Sequence, residues 1–145
     1  MTTLRIQGGI LLHPDEPHDE AWVIDGQLTF TAPTGPAARD IVTIRGWALP
    51  GLVDAHCHVG LGPEGPVGHH TAEQQLLDNR HAGALLLRDA GSPIDTRWAQ
   101  QRDDLPQLIR AGQHIARTKR YLRNVGDEIE PDTLAEQATI QAHRS

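Results

Sequence analysis

Between Pro50 and Gly60 the chain alternates in a way that few folds can use. Pro50-Gly51 is a turn signal, and Leu52-Val53-Asp54-Ala55-His56-Cys57-His58-Val59 follows it. Side chains of a strand point to opposite faces with a period of two. Asp54, His56 and His58 are therefore expected on one face, and Val53, Ala55, Cys57 and Val59 on the other. The second face is wholly apolar and needs a hydrophobic layer over it. The first sets two imidazoles about 6–7 Å apart along the strand, where the chain enters the glycine- and proline-rich stretch Gly60 to Gly68. Neutral imidazoles so placed can converge on one cation, and imidazole suits zinc, iron, nickel or copper better than magnesium or calcium. An isolated His-x-His pair is more often structural than ligating. Here the Asp on the same face, the Pro-Gly entry, the apolar opposite face and the glycine-rich exit favour a metal site.

Upstream, Leu4 to Gln7 and Ile10 to Leu12 read as two short strands broken at Gly8-Gly9, and His13 to Glu20 as a loop whose histidines are solvated. Ala21 to Ile24 and Gln27 to Phe30 flank Asp25-Gly26, a pair suited to a type I′ hairpin turn. Ile41 to Ile44 is a further strand. Together these predict a small antiparallel sheet over residues 1–48, with the boundary of the next domain near Trp47 to Gly51.

Downstream, strands and helices alternate. Gly60 to His70 reads as a loop, with His69 and His70 at its end, where they reach a substrate or simply face solvent. Thr71-Ala72-Glu73-Gln74 has the form of a capping box, which predicts a helix from Ala72 to about His81, ended by Ala82-Gly83. The apolar run Ala84 to Arg88 reads as a parallel strand buried on both faces, with Asp89 at its C-terminal end. That carboxylate either bonds an active-site group or satisfies turn amides. Gln107 to Arg110 is the next strand. Gly112 to Gly126 reads as a polar loop in which His114 and Tyr121 are placed to wall a pocket, and Pro131 suits the first turn of a last helix.

Pro-Gly-Leu-Val-Asp-Ala-His-Cys-His resembles the signature of the metal-dependent amidohydrolase superfamily, where it forms the first strand of a (β/α)8 barrel. Leu86-Leu87-Arg88-Asp89-Ala90-Gly91-Ser92 is similar to the family's second strand and turn, and Leu108-Ile109-Arg110-Ala111-Gly112 to its third. The group most resembled is the imidazolonepropionase-like and dipeptidase-like amidohydrolases. The fold this implies is α/β: a partial (β/α)8 TIM barrel of about three β/α units over residues 49–145, preceded by a small antiparallel β-sandwich portion over residues 1–48. A complete barrel needs roughly 250 residues, against 145 here. The expectation is an N-terminal fragment, inactive on its own, with the rest of the sandwich and barrel elsewhere.

The function implied is metal-dependent hydrolysis of carbon–nitrogen bonds in a small-molecule amide, cyclic amide or dipeptide. The cofactor implied is a divalent metal, zinc before others, with one or two ions in an intact enzyme. His56 and His58 map onto the family's first-strand ligands. Asp54 and Asp89 would support those ligands, and His69, His70 and Tyr121 are candidates for substrate loops. The family's bridging Lys, further His ligands and catalytic Asp have no matching position. The competing reading is a non-catalytic half-barrel that associates through its open sheet edges, with a homo-oligomer as one form. A metallo-β-lactamase-type His-x-His-x-Asp-His fails at Val59-Gly60. A histidinol-phosphatase-type phosphoesterase carries its His-x-His close to the N-terminus and lacks the preceding sheet.

The net charge of −6 and the scattered basic residues argue against a nucleic-acid partner; the densest basic patch is Arg117, Lys119, Arg120 and Arg123. Aromatic residues make up only 3%, so few large side chains are available for an independent core. The single Cys57 allows no internal disulfide and suits a reducing compartment. No signal-peptide core opens the chain, and no apolar run approaches the length of a membrane span, so a cytoplasmic location is expected.

Overall fold

The computed structural model describes residues 3–12, 17–119 and 125–144. The chain divides into two compact units, Met1–Pro50 and Gly51–Ser145.

The first unit is one four-stranded sheet. Its strands are β1 (Thr3–Ile10), β2 (His18–Ile24), β3 (Gln27–Thr29) and β4 (Ile41–Arg45), in the order β3-β2-β1-β4. Asp25 and Gly26 both take positive φ, 52° and 78°, and join β2 to β3 as the two-residue turn their side chains favour. Gly8-Gly9 does not break β1. The strand runs through both glycines with a register irregularity between Gln7 and Ile10. A Cβ on Gly8 would lie 2.0 Å from the Gly46 carbonyl oxygen, and one on Gly9 would lie 2.3 Å from the Trp47 ring. Glycine serves close approach here rather than a turn.

The sheet is mixed, not antiparallel. β4 pairs with β1 in parallel, Thr3 opposite Ile41 through Gln7 opposite Arg45. The reason is the connection: the chain leaves β3 on one edge, passes through a 3-10 turn at Gly35–Ala38 and reaches the opposite edge. Such a crossover, unlike a hairpin, can set neighbouring strands parallel. Among the described residues this unit shows one layer rather than the two of a sandwich, and every residue of β4 is exposed.

The second unit holds β5 (Leu52–Cys57), the two-residue strands β6 (Leu61–Gly62) and β7 (Gly65–Pro66), helix α1 (His69–His81), and strands β8 (Ala84–Asp89) and β9 (Gln107–Arg110). Strands β10 (Ile115–Arg117) and β11 (Asp127–Ile129) and helix α2 (Leu134–Arg144) follow. β5, β8 and β9 form a parallel sheet in sequential order. β10 and β11 pair in parallel by themselves, so the segment expected to be wholly loop, Gly112 to Gly126, contains one short strand, β10. Three residues of strand are too few to show a period.

α1 lies in the β5–β8 connection and buries Ala72 and Leu76 completely. With Val59, Ala84, Leu87, Ala99, Leu105 and Leu108 they form the unit's core. The helix starts one turn earlier than the capping box implies. Gly68 is its N-cap, and the Ala72 amide donates to the Gly68 carbonyl. Thr71 therefore lies inside the first turn, and Gln74 Nε2 donates to Asp78 Oδ1 four residues on. Gly83 at φ 92° ends the helix in the left-handed conformation, its amide bonded to the Arg80 carbonyl.

β8 is not buried on both faces. Leu87 and Asp89 are buried, while Leu85 and Arg88 are exposed. β5 differs similarly: Cys57 packs against the core, but Leu52 and Val53 are open. Among the described residues, helical segments cover one side of this sheet. No helix among them is long and apolar enough to cross a membrane.

Candidate functional site

The parallel order of β5, β8 and β9 places the loops that follow these strands side by side. Three loop-to-loop bonds join them. The Ala90 amide donates to the Cys57 carbonyl at 2.9 Å, the Ala111 amide to Asp89 at 3.1 Å, and the Ser92 amide to Gly112 at 3.1 Å. Ser92 Oγ adds a fourth tie by donating to the Val59 carbonyl at 2.5 Å.

Within this frame β5 carries an irregularity. Asp54 pairs with Leu87 and Cys57 with Asp89, so β5 holds one more residue than β8 over the same span. His56 lies in that bulge. Its backbone N–H is taken by the Asp54 carboxylate, at 3.0 Å from Oδ1. An unpaired amide is thereby satisfied, and the strand bends where a side chain must be re-aimed. Strict alternation is lost, yet His56 and His58 still converge. Their Nε2 atoms are 3.2 Å apart, with the rings nearly perpendicular at 77°.

His58 is held from behind. Its Nδ1 lies 3.0 Å from the Gly91 carbonyl oxygen. A carbonyl can only accept, so Nδ1 carries the proton and Nε2 keeps its lone pair. Asp89 supports this contact at one remove, because its Oδ1 accepts the Gly91 N–H at 3.0 Å. Asp89 is 1% exposed, and its Oδ2 is buried without a hydrogen-bond partner. Burial pushes this carboxyl above the ordinary range, although the Gly91 amide, His58 and Arg110 pull the other way.

His114 completes the group. Its Nε2 is 3.3 Å from His58 Nδ1, and the ring centroids are 5.0 Å apart. Burial lowers the pKa of His114, and the nearby His58 and His56 add to that. Position 114 lies in the segment read as loop. What brings it here is the adjacency of the exits from β8 and β9, a long-range fact with no local signal. Cys57 sits between the two histidines in sequence, and its thiol is pushed up to about 11 by burial, with Asp89 and Asp54 adding to the rise.

The other candidates are elsewhere. His69, on the first turn of α1, packs against Trp98 with the rings tilted at 34° and their centroids 4.0 Å apart. His70 is exposed beside it. Tyr121 lies outside the described residues. A cleft of about 260 Å³ opens next to the Gly91–Ser92 turn, lined in part by Ser92, Asp95, Arg97, Arg110 and Gln113. Arg110 Nε donates to Thr96 Oγ1 at 3.0 Å, and Arg97 holds Asp95 down at about 2.

The histidine pair fits a metal. Two nitrogens on one tetrahedral zinc, at 2.0–2.1 Å each, lie about 3.3–3.4 Å apart, close to the 3.2 Å found here. Ligating histidines commonly donate their other ring N–H to a carbonyl, as His58 does. Among the described residues, no group of three or more His, Cys, Asp or Glu side chains is gathered for a metal. The pair is thus short of the three protein ligands typical of catalytic zinc.

No protein-family model matches the chain. It is similar to uncharacterized proteins of Mycobacterium tuberculosis and Mycobacterium bovis, 50% identical over 130 residues, which covers 86% of this chain and 34% of each relative. It is also similar to a 5-methylthioadenosine/S-adenosylhomocysteine deaminase of Halobacterium salinarum, 31% identical over 121 residues, 76% of this chain and 26% of that protein. The chain thus spans about a third of the length of the mycobacterial proteins and about a quarter of the deaminase.

Proposed function

We propose that this chain carries the metal-holding strand of a hydrolase acting on carbon–nitrogen bonds, of the amidohydrolase superfamily. The observation that carries the reading is the convergence of His56 Nε2 and His58 Nε2 to 3.2 Å at the C-terminal end of β5. The deaminase relative supports it from another side, because a deaminase by name breaks a carbon–nitrogen bond. In this reading β5, β8 and β9 are the first strands of a (β/α)8 barrel, whose active sites lie at the C-terminal ends of the strands.

His56 and His58 would hold the ion, with zinc first by the resemblance to the superfamily. An ion held there would supply Lewis acidity, lowering the pKa of a water and drawing charge from the group under attack. Asp54 shapes the bulge that aims His56. Asp89 holds the Gly91 peptide against His58. The polar cleft beside Ser92 is placed to receive part of a small amide substrate. The remaining ligands and the general base come from outside the described residues.

Titration of the chain with Co2+ tests the assignment. His56→Ala and His58→Ala should each weaken binding by about tenfold or more. Unchanged affinity in both variants would overturn it.

A second reading is favoured by β4, exposed along its whole length with Ile41, Val42 and Ile44 open to solvent. Such an edge invites strand pairing, which would make the chain an interaction module. Concentration-dependent sedimentation would support it, and a monomer at all concentrations would not.

A further inference from the structure

We propose that His114 is a positioning residue for His58: it shares the His58 Nδ1 proton with the Gly91 carbonyl and so holds the His58 Nε2 lone pair toward His56. Its consequence for metal affinity rests on the reading of His56 and His58 as ligands; the tautomer itself does not.

Two acceptors converge on one ring atom. The Gly91 oxygen is 3.0 Å from His58 Nδ1, and His114 Nε2 is 3.3 Å from it. One proton serves both only if His114 Nε2 is unprotonated, with the His114 proton on Nδ1. The opposite tautomer of His58 would face the Gly91 oxygen with a lone pair and leave that carbonyl without its donor, even with His114 donating from Nε2 instead. That loss is costly in a half-buried site.

The chain is built to keep His114 there. Its ring lies against Gly91, where a Cβ would meet the ring carbons at 3.0 and 3.1 Å. Gly91 is at φ 131°, a conformation open to glycine. On the other side, the His114 carbonyl accepts the Asp127 N–H at 2.7 Å. Gly126, at φ 81°, approaches so closely that a Cβ there would lie 2.0 Å from the His114 oxygen. Gly91 thus leaves room for the ring, and Gly126 leaves room for the backbone and Cβ of His114. Packing alone would explain an aromatic ring at 114, but not a ring nitrogen aimed at the His58 proton.

The test is the 15N spectrum of the imidazoles in the chain and in two variants, with Co2+ affinity measured alongside. His114→Phe keeps the ring volume and removes the acceptor; His114→Gln keeps an acceptor near the Nε2 position. The wild-type chain should show His58 protonated on Nδ1. His114→Phe should move population toward the Nε2–H tautomer and weaken Co2+ binding about tenfold, and His114→Gln should recover most of both. His58 protonated on Nε2 in the wild-type chain, or a tautomer ratio unmoved by His114→Phe in a folded protein, would overturn the proposal. A shifted tautomer in a chain that binds no Co2+ through His56 and His58 would uphold it and remove the metal reading instead.

Discussion

The Gly91 carbonyl oxygen stands 3.0 Å from His58 Nδ1, and this contact decides which nitrogen of the ring is left as a base or a ligand. The acceptor is a backbone atom, so no side-chain substitution removes it directly. It can be moved only through the conformation of residue 91.

Gly91→Ala should therefore act on stability and site together. At φ 131° an alanine is strained, and its Cβ would press on the His114 ring. The expected cost is roughly 1–3 kcal/mol, read as a lowered urea midpoint, with a parallel loss of Co2+ affinity. A variant as stable as the parent would mean that the turn adapts at no cost.

Asp54→Ala removes the acceptor that closes the bulge at His56. A loss of about 0.5–1.5 kcal/mol is expected for one such bond. Co2+ affinity should fall as well, because the aim of His56 depends on the bend. Asp54→Asn, which keeps an acceptor oxygen, should retain most of both. If Asn behaves like Ala, the carboxylate acts through charge rather than through this bond.

Asp89 gives a pH signature. Its folded-state pKa is raised by burial, so folding favours the protonated form. The stability this contributes is fully present below the unfolded pKa, near 3.9, and is lost as pH rises through the folded value. Asp89→Asn cannot titrate. Its stability relative to the parent should therefore increase from pH 3 toward neutrality, as followed by urea unfolding. A difference that stays flat with pH would place the Asp89 carboxylate in better solvation than its burial implies. His58 and Arg110 face this group and limit the size of the effect.

Cys57 should be a slow nucleophile. With its thiol at about 11, only on the order of one molecule in a thousand is thiolate at pH 8. Alkylation by iodoacetamide at that pH is expected to be at least about tenfold slower than that of free cysteine. Reaction at the free-cysteine rate would show that the thiol is more open than its half-buried position indicates.

Leu76→Ala tests how much of the second unit depends on α1. Leu76 is fully buried in a core that it shares with Leu87, Leu105 and Leu108. A loss of about 2–5 kcal/mol is expected, enough to unfold a marginal unit. Circular dichroism and denaturant titration would detect it.

Local features of the fold were legible wherever one residue type meets one backbone need. Asp25-Gly26 marks a turn because both positions require positive φ, and Gly83 marks a helix end for the same reason. The placement of His56 and His58 near each other was legible from strand period, although the bulge that brings them together was not. Bulges depend on the partner strand, which a single segment does not contain. The direction of β4 was hidden for a related reason, since it is set by a connection that crosses the sheet. His114 is the clearest case. Its sequence neighbours Gln113 and Ile115 do not mark it, while its neighbour in space is 56 positions away. Capping signals misled at α1, because the helix starts from extended backbone at Gly68 with no side-chain cap, and the box at Thr71 comes a turn too late.

Ser92 gives its hydroxyl proton to the Val59 carbonyl and accepts the Ile94 amide with the same oxygen. That single atom sets the gauge between the segment behind His58 and the segment behind Gly91. Strand pairing tolerates a slip of a residue or a local bulge, and β5 shows both kinds of latitude. A hydroxyl bridge of fixed length does not. The spacing on which the imidazoles depend is therefore calibrated outside the sheet, by a residue that touches neither of them. A change at position 92 would shift that spacing even with every strand residue kept.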